Sequence, residues 1–291
     1  MARKIAYLGP AGTYTEQAAI AYDPSAERVP QASVAAVSAA VESGSVEEGI
    51  VAIENSLEGS VTDVLDLLIH DSTLKIRKEV VIPINHCLLV KPGTVNEARQ
   101  IQVLYSHPQA FGQCRKYIEA ALPAAEVFAT LSTVAAVEEL MGIGRFADHV
   151  TGPRGKIQAA IAPKRSAELY DAEILMEGIQ DHSRNATRFV VLASLDHEPT
   201  GDDKTSIAFT FDEEDKPGQI YRAMSEFASW SINLSRVESR PSKESLGRYV
   251  FLIDLDGHRT DPGVREALEA IDTFTSTLKI FGSYPRYRAS G

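Results

Sequence analysis

The order strand, turn, helix, strand, helix, strand can be read twice between residues 4 and 164, and this duplication restricts the fold more than any single motif. In the first copy KIAYL (4–8) is a short strand, GPAG a turn, and Thr13-x-x-Glu16 a capping box that opens a helix. SVAAVSAAVESG (33–44) follows, capped by Ser33 and stopped by Gly44, and GIVAIEN (49–55) reads as a buried strand. In the second copy IQVLYS (101–106) is the strand, His107-Pro108 the turn and QAFGQCRKYIEAAL the helix. STVAAVEELMGIG (132–144), capped by Ser132 or Thr133, and the strand QAAIAPK (158–164) complete it. Strands alternating with helices predict parallel α/β units. Two such lobes face each other across a cleft, because ligands favour the carboxyl ends of parallel strands and the N-termini of helices.

Residues 75–90, KIRKEVVIPINHCLLV, read as an extended crossing from lobe one to lobe two, and 173–193 as the return. Lobe one therefore takes about 1–80 plus 173–194, and lobe two about 81–172, within a unit of residues 1–194. SLDHEPTGDDK (194–204) is polar, acidic and turn-rich, as a linker is. Beyond it TSIAFTF, PGQIYRAMSEFASW, INLSRVESR, LGRYVFLIDLD, DPGVREALEAI and TLKIFGSY run in the order βαββαβ, which predicts a ferredoxin-like domain over 204–285. Its sheet is expected to leave one face and one edge free for pairing. GRFADHVTGPRGK (144–156), rich in glycine and charge, is expected to be a surface loop.

A net charge of −11 without a basic stripe argues against a nucleic-acid surface, so an anionic ligand has to be held by a local site. Cys87 and Cys114 form no CxxC and read as buried thiols. MARKIAYLGP has no apolar signal region, and no run of about 20 apolar residues exists, so a cytoplasmic protein with no membrane contact is expected. Without secretion the sequon Asn185-Ala186-Thr187 carries no meaning.

RNATRF (184–189) places two guanidiniums, an amide, a hydroxyl and a ring just before the apolar run VVLA, where a strand entering a core normally sheds its charges. An anion beside it would explain the mixture. Lobe one adds Thr13 and Thr15 at a helix start and Glu54-Asn55-Ser56 at a strand end; lobe two adds Ser106 and, two helical turns on, Gln113. Hydroxyls, amides and one guanidinium bind carboxylates and orient a leaving group. There is no metal-ligand cluster, no GxGxxG, no GxxxxGK[ST] and no hydrolytic triad. Each residue also has a plainer reading: Ser33 and Ser132 are caps, Thr13 is a cap whether or not it touches ligand, Asn55 can satisfy a turn, and His107 closes one.

Taken in order and spacing, YLGPAGTYTEQAA, GIVAIENSLEGSV, SHPQAFGQC and RNATRF resemble prephenate dehydratase, and the trailing βαββαβ with DKPGQIYRAM and INLSRVESRP resembles the ACT regulatory domain of that family. The resemblance runs from residue 4 to about 285. It implies a two-lobed catalytic domain like periplasmic binding proteins, and decarboxylating dehydration of prephenate to phenylpyruvate without a cofactor or metal. The family's catalytic threonine falls on Thr187 beside Arg188, with Asn55, Ser106 and Gln113 as further catalytic residues and Thr13, Ser56 and Phe189 against the substrate. Thr187 is expected to assist the departing hydroxyl and Arg188 to hold a carboxylate.

Phenylalanine is implied as feedback effector, bound between paired ACT domains of a homodimer or homotetramer by Gly218, Gln219, Ile220, Asn233, Leu234, Glu238, Ser239, Arg240 and Pro241. Gly218-Gln219-Ile220 departs from the family's usual Gly-Ala-Leu, which puts effector affinity and identity in question. The motif begins near residue 7, so no fused mutase and a single activity are expected. Two other readings stand: an arogenate dehydratase, and a two-lobed sensor that captures an aromatic acid without reacting.

Overall fold

The computed structural model describes residues 3–94, 97–144, 156–211, 216–245 and 247–288. β1 (Lys4–Leu8) is buried at Ile5, Ala6 and Tyr7, so both of its faces are covered, as the central strand of a parallel sheet requires. α1 (Tyr14–Tyr22) covers the Ile5 face through Ala18 and Ala19. β2 (Glu27–Gln31) lies parallel to β1, and α2 (Val34–Glu42) covers the Ala6 face through Val37 and Val41. The two helix starts are built as expected: Thr13 Oγ1 accepts from Glu16 N at 3.3 Å, and Ser33 Oγ from Ala36 N at 3.1 Å. The Glu16 carboxylate goes to Gly12 N at 2.7 Å instead of back to the cap.

β3 (Glu48–Asn55) lies parallel to β1 on its other side. Gly49 lets α2 approach it, since a Cβ there would stand 2.6 Å from Val37 Cγ1. The chain then makes β4 (Gly59–Ser60), α3 (Thr62–Asp66) with a π-helical turn at Leu67–Asp71, and β5 (Lys75–Pro83).

Lobe two contains β6 (Cys87–Val90), β7 (Val103–Ser106), α4 (Pro108–Gln113), α5 (Arg115–Ala121), β8 (Glu126–Ala129), α6 (Thr133–Met141), β9 (Gln158–Ala162), α7 (Lys164–Tyr170) and β10 (Glu173–Glu177). Its sheet runs β10-β6-β9-β7-β8, parallel among β7, β8 and β9 and antiparallel at β6 and β10. β10 thus belongs to lobe two, so the return to lobe one starts after residue 177 and not at 173. The helix expected after Pro108 is broken at Cys114. The cause is tertiary: Asp181 N donates to the Gln113 carbonyl at 2.7 Å and the Asp181 carboxylate caps Lys116 N at 3.1 Å. The loop expected over 144–156 falls, from 145 to 155, outside the described residues.

β11 (Ala186–Ala193) re-enters the first sheet between β3 and β5, antiparallel to both, giving the order β2-β1-β3-β11-β5 with β4 on β3. The C-terminal domain follows as β12 (Asp203–Thr210), α8 (Gln219–Ser229), β13 (Leu234–Pro241), β14 (Tyr249–Asp256), α9 (Pro262–Asp272) and β15 (Thr277–Pro285), with sheet order β13-β14-β12-β15. Both of its helices pack on one face, over Ile207, Phe209, Ile253 and Leu255. The other face is not free: Ala208, Val250, Leu252, Phe281 and Tyr284 share one core with Val51, Ile76, Val190 and Leu192 of the first sheet. Gly282, at φ 149°, permits this docking, because a Cβ there would collide with the Ile76 carbonyl.

Candidate functional site

β11 and β3 pair Thr187 with Asn55 at the end where both strands meet lobe two. Asn55 Oδ1 accepts from Leu57 N at 3.0 Å and Glu58 N at 3.1 Å, the side-chain turn that an asparagine after a strand favours. Two backbone donors on that oxygen leave its amide nitrogen as the only group that can face inward. Asn55 Nδ2 donates to Thr187 Oγ1 at 2.8 Å and to Asn185 Oδ1 at 2.9 Å. The orientation then propagates: Asn185 Nδ2 donates to Gln113 Oε1 at 3.0 Å, and Gln113 Nε2 points to Glu58 Oε1 at 3.4 Å. His86 Nε2, 2.8 Å from the same Gln113 oxygen, has to carry the proton.

Two consequences follow. First, Thr187 Oγ1 is already an acceptor, so its own O–H is available to a ligand. Second, His86 Nδ1 faces Tyr14 OH at 3.2 Å, and that hydroxyl donates to the Asn85 carbonyl at 2.7 Å. Burial holds the His86 imidazole below its ordinary value, partly offset by the Gln113 bond, so the ring is neutral. Burial likewise pushes the Tyr14 phenol up, so it stays a hydroxyl. Tyr14 and the chain from His86 to Thr187 therefore carry no net charge of their own, and among the described residues the carboxylate hydrogen-bonded to that chain is Glu58.

Ser56 joins the network, its hydroxyl accepting from Ala186 N at 3.0 Å and lying 3.4 Å from Asn185 Oδ1. Ser106 stands at the end of β7, fully buried, and donates to the Ile161 carbonyl at 2.7 Å. Among the described residues no hydrogen bond joins Ser106 to the Thr187 network. Thr13 serves as the α1 cap, with its hydroxyl 3.4 Å from the Leu8 carbonyl. His107 caps α4, accepting from Gln109 N at 3.3 Å, the structural role read for it.

Two expected residues lie elsewhere. Phe189 is 1 % exposed and packs with Ile5, Ala18, Ile50 and Val191 beneath α1, so it is core and not a substrate contact. Arg188 points to the opposite face of β11 from Thr187, as neighbours on a strand do. Its Nη2 donates to Asp254 at 2.8 Å and its Nη1 to Glu79 at 3.2 Å, while Nε lies 3.2 Å from Glu54 without the alignment of a hydrogen bond. The side chain is 11 % exposed. A guanidinium shared among three carboxylates has no face left for a substrate carboxylate, so that expected role is replaced by an inter-domain one.

His86, Tyr14 and Glu58 were not singled out by sequence. His86 was one of seven scattered histidines, and only the hinge between β5 and β6 brings it to Gln113. Cys87 and Cys114 are buried free thiols, pushed up by burial to about 11 and about 12, so neither is a nucleophile.

In the C-terminal domain Gly218, Gln219 and Ile220 line a cavity of about 680 Å³ together with Ile69, His70, Arg248 and Lys279. The other expected effector residues are apart from it. Asn233 donates to Asp256 at 3.1 Å and Leu234 packs toward the helices. Glu238 and Arg240 turn toward lobe one, Glu238 accepting from Ser60 at 2.6 Å and Arg240 reaching Asp66 at 3.3 Å, while Ser239 and Pro241 face outward.

The family model for prephenate dehydratase matches residues 5–197. A bifunctional chorismate mutase/prephenate dehydratase of Aquifex aeolicus is 39 % identical over 97 % of this chain and 74 % of its own length. The prephenate dehydratase of Arthrobacter aurescens solved in complex with L-Phe superposes with a TM-score of 0.83 at 36 % identity, covering 97 % of this chain and 90 % of that one. A structure described as a novel type of quorum quenching acylase, GqqA, superposes with a TM-score of 0.82 at 29 % identity, over 98 % of each chain.

Proposed function

The chain belongs to the prephenate dehydratase family, and on that premise we propose that it converts prephenate to phenylpyruvate at the Thr187–Asn55 pair. The observation that carries this reading is the direction of one hydrogen bond: Asn55 donates to Thr187, so the threonine proton is left for the leaving group. In the reaction the bond from the ring to its carboxylate breaks, and the electron pair enters the ring. The C–O bond to the ring hydroxyl breaks with its own pair, and a proton from solvent completes water. Prephenate dianion and one proton give phenylpyruvate, carbon dioxide and water, so the atoms and charges balance without a cofactor.

Thr187 is too weak an acid to protonate the oxygen alone. It acts as a positioned donor to the charge that develops there, an effect worth about a hundred- to a thousandfold in rate. Asn55, Asn185 and Gln113 hold it in place, and closure of the lobes over the substrate supplies the remaining orientation.

Phenylalanine as effector is supported by the L-Phe complex of the Arthrobacter relative and by the cavity at Gly218–Ile220. A homodimer or homotetramer is favoured by Ser239 and Pro241 facing outward on β13, an edge strand with its other side unpaired among the described residues. A cytoplasmic location fits a biosynthetic activity; no helix among the described residues is long and apolar enough to cross a membrane.

The test is phenylpyruvate formation from prephenate and from arogenate, followed by absorbance in alkali. Thr187→Val, which keeps the shape and loses the O–H, is expected to lower kcat by about a hundred- to a thousandfold, with Thr187→Ser recovering much of it. Full turnover by Thr187→Val would remove Thr187 from the chemistry. A flat response to millimolar phenylalanine would remove the feedback reading. The acylase likeness shows that one scaffold is associated with different activities, so hydrolysis of an acyl amide belongs in the same assay as a control.

A further inference from the structure

We propose that the C-terminal domain positions the reactive pair by gripping each of the two strands that carry it: Asp254 holds β11 through Arg188, and Arg236 with Glu238 holds β4, and with it β3, through Ser60. This inference rests on the reading of Thr187 and Asn55 as the reacting centre.

The first grip is one residue from Thr187. Arg188 Nη2 donates to Asp254 Oδ2 at 2.8 Å. The other Asp254 oxygen accepts from the Ser206 hydroxyl at 2.6 Å, and Ser206 also contacts Tyr284 OH at 2.6 Å, so the carboxylate is fixed within its own sheet. Glu79, which takes the second Arg188 nitrogen, is held by Lys204 Nζ at 3.0 Å on each oxygen and by Tyr287 N at 2.7 Å. Glu79 is 3 % and Asp254 4 % exposed, so water cannot replace a lost partner there. Every group that orients Arg188, other than Glu54 and the backbone of its own strand, is therefore in or fastened to the C-terminal domain.

The second grip closes the turn that orients Asn55. β4 pairs Ser60 with Glu54 and Gly59 with Asn55, so Ser60 marks the end of the turn whose N–H groups hold Asn55 Oδ1. Ser60 Oγ donates to Glu238 Oε2 at 2.6 Å and accepts from Arg236 Nη2 at 2.7 Å, and Arg236 binds Glu238 directly at 2.6 Å. Both of the hydroxyl's roles are used by the other domain.

Arg236, Glu238 and Asp254 lie on adjacent strands, β13 and β14, paired at Arg236 with Asp254. One paired element thus holds Arg188, next to Thr187, and Ser60, paired with the neighbour of Asn55. A displacement of β13 against lobe one moves the donor and the acceptor together or apart, and misplacing a reacting group by about 1 Å costs on the order of a hundredfold in rate. Glu238 is also part of the Glu-Ser-Arg-Pro strand, so a ligand that engages this strand acts on Ser60 without any longer path.

The experiment uses the full chain with Ser60→Ala and Asp254→Asn. kcat on prephenate is expected to fall about tenfold in each with KM within about threefold, since a positioning loss is felt in the transition state, and Ser60→Thr is expected to restore it. In the same variants, without substrate, amide hydrogen exchange is expected to quicken about tenfold in segments 54–60 and 185–189 and to stay unchanged in lobe two. Wild-type kcat in folded Ser60→Ala, or exchange that rises equally in both lobes, overturns the proposal. If the wild-type chain does not turn over prephenate, the functional reading fails, and the exchange measurement still decides whether the grip exists. Should Asp254→Asn fail to fold, Ser60→Ala, at a half-buried hydroxyl, decides alone.

Discussion

The two faces of β11 hold opposite kinds of polar chemistry. On the Thr187 face Asn55, Asn185, Gln113 and His86 are linked by hydrogen bonds between neutral side chains, ordered outward from the two backbone N–H groups that bind Asn55 Oδ1. On the Arg188 face Glu54, Glu79, Asp254 and Lys204 are joined by ion pairs. A neutral network can be buried with each donor matched to an acceptor, and its side chains add no charge of their own to oppose an incoming anion. Ions buried at a domain junction persist only with their partners, so they fix one relative placement of the two sheets. Two consecutive residues, pointing to opposite faces of one strand, thus enter a neutral network and an ion cluster separately.

The largest effect should come from breaking the charged side. Arg188→Met is expected to cost about 3–5 kcal/mol of stability by removing the cation paired to buried Asp254, read from urea unfolding. A loss below 1 kcal/mol, roughly the worth of an exposed pair, would make the charged face no different from a surface. On the neutral side Asn55→Ala leaves the Leu57 and Glu58 N–H groups and Asn185 Oδ1 short of a partner, expected at about 1–3 kcal/mol, with a kcat loss at least as large as that of Thr187→Val. Equal losses in the two variants would erase the contrast.

A smaller effect concerns pH. The folded His86 imidazole titrates below its ordinary 6.5, so the unfolded chain binds the extra proton. The stability this group contributes is complete above 6.5 and is lost as pH falls from there through the folded value. Urea midpoints between about pH 7.5 and pH 5 should decline less steeply in His86→Gln, which cannot take up that proton. The smallest effect is expected from Arg115→Ala on α5, where the pair with Glu119 at 2.8 Å is 75 % and 62 % exposed. Its loss should leave the urea midpoint where it is in the wild type, setting the baseline for a charge that assembles nothing.

Some of this was legible in the chain and some was not. The paired strand-turn-helix openings could be read because caps at Thr13, Ser33 and Ser132 act within three residues of themselves. The βαββαβ order of the C-terminal domain was equally plain, since each element carries its own periodicity. Thr187 and Asn55 were reached through ordered motifs, although 132 positions separate them. The role of Arg188 was misjudged: its chemistry suits a carboxylate, but the carboxylate it found is Asp254, 66 residues on. The break between α4 and α5 was invisible for the same reason, because it depends on Asp181 arriving from the return crossing. β10 was placed with the wrong lobe because an extended segment carries no mark of the sheet that will accept it.

What the sequence determined by itself is the set of elements, their order, and the residue types gathered at strand ends, since these depend on forces that act over one or two turns. Which way each polar side chain faces, and which anion each cation meets, was decided by tertiary structure. Strand alternation and the docking of the C-terminal sheet send Thr187 and Arg188 to different neighbours, and no local property of two adjacent residues contains that choice.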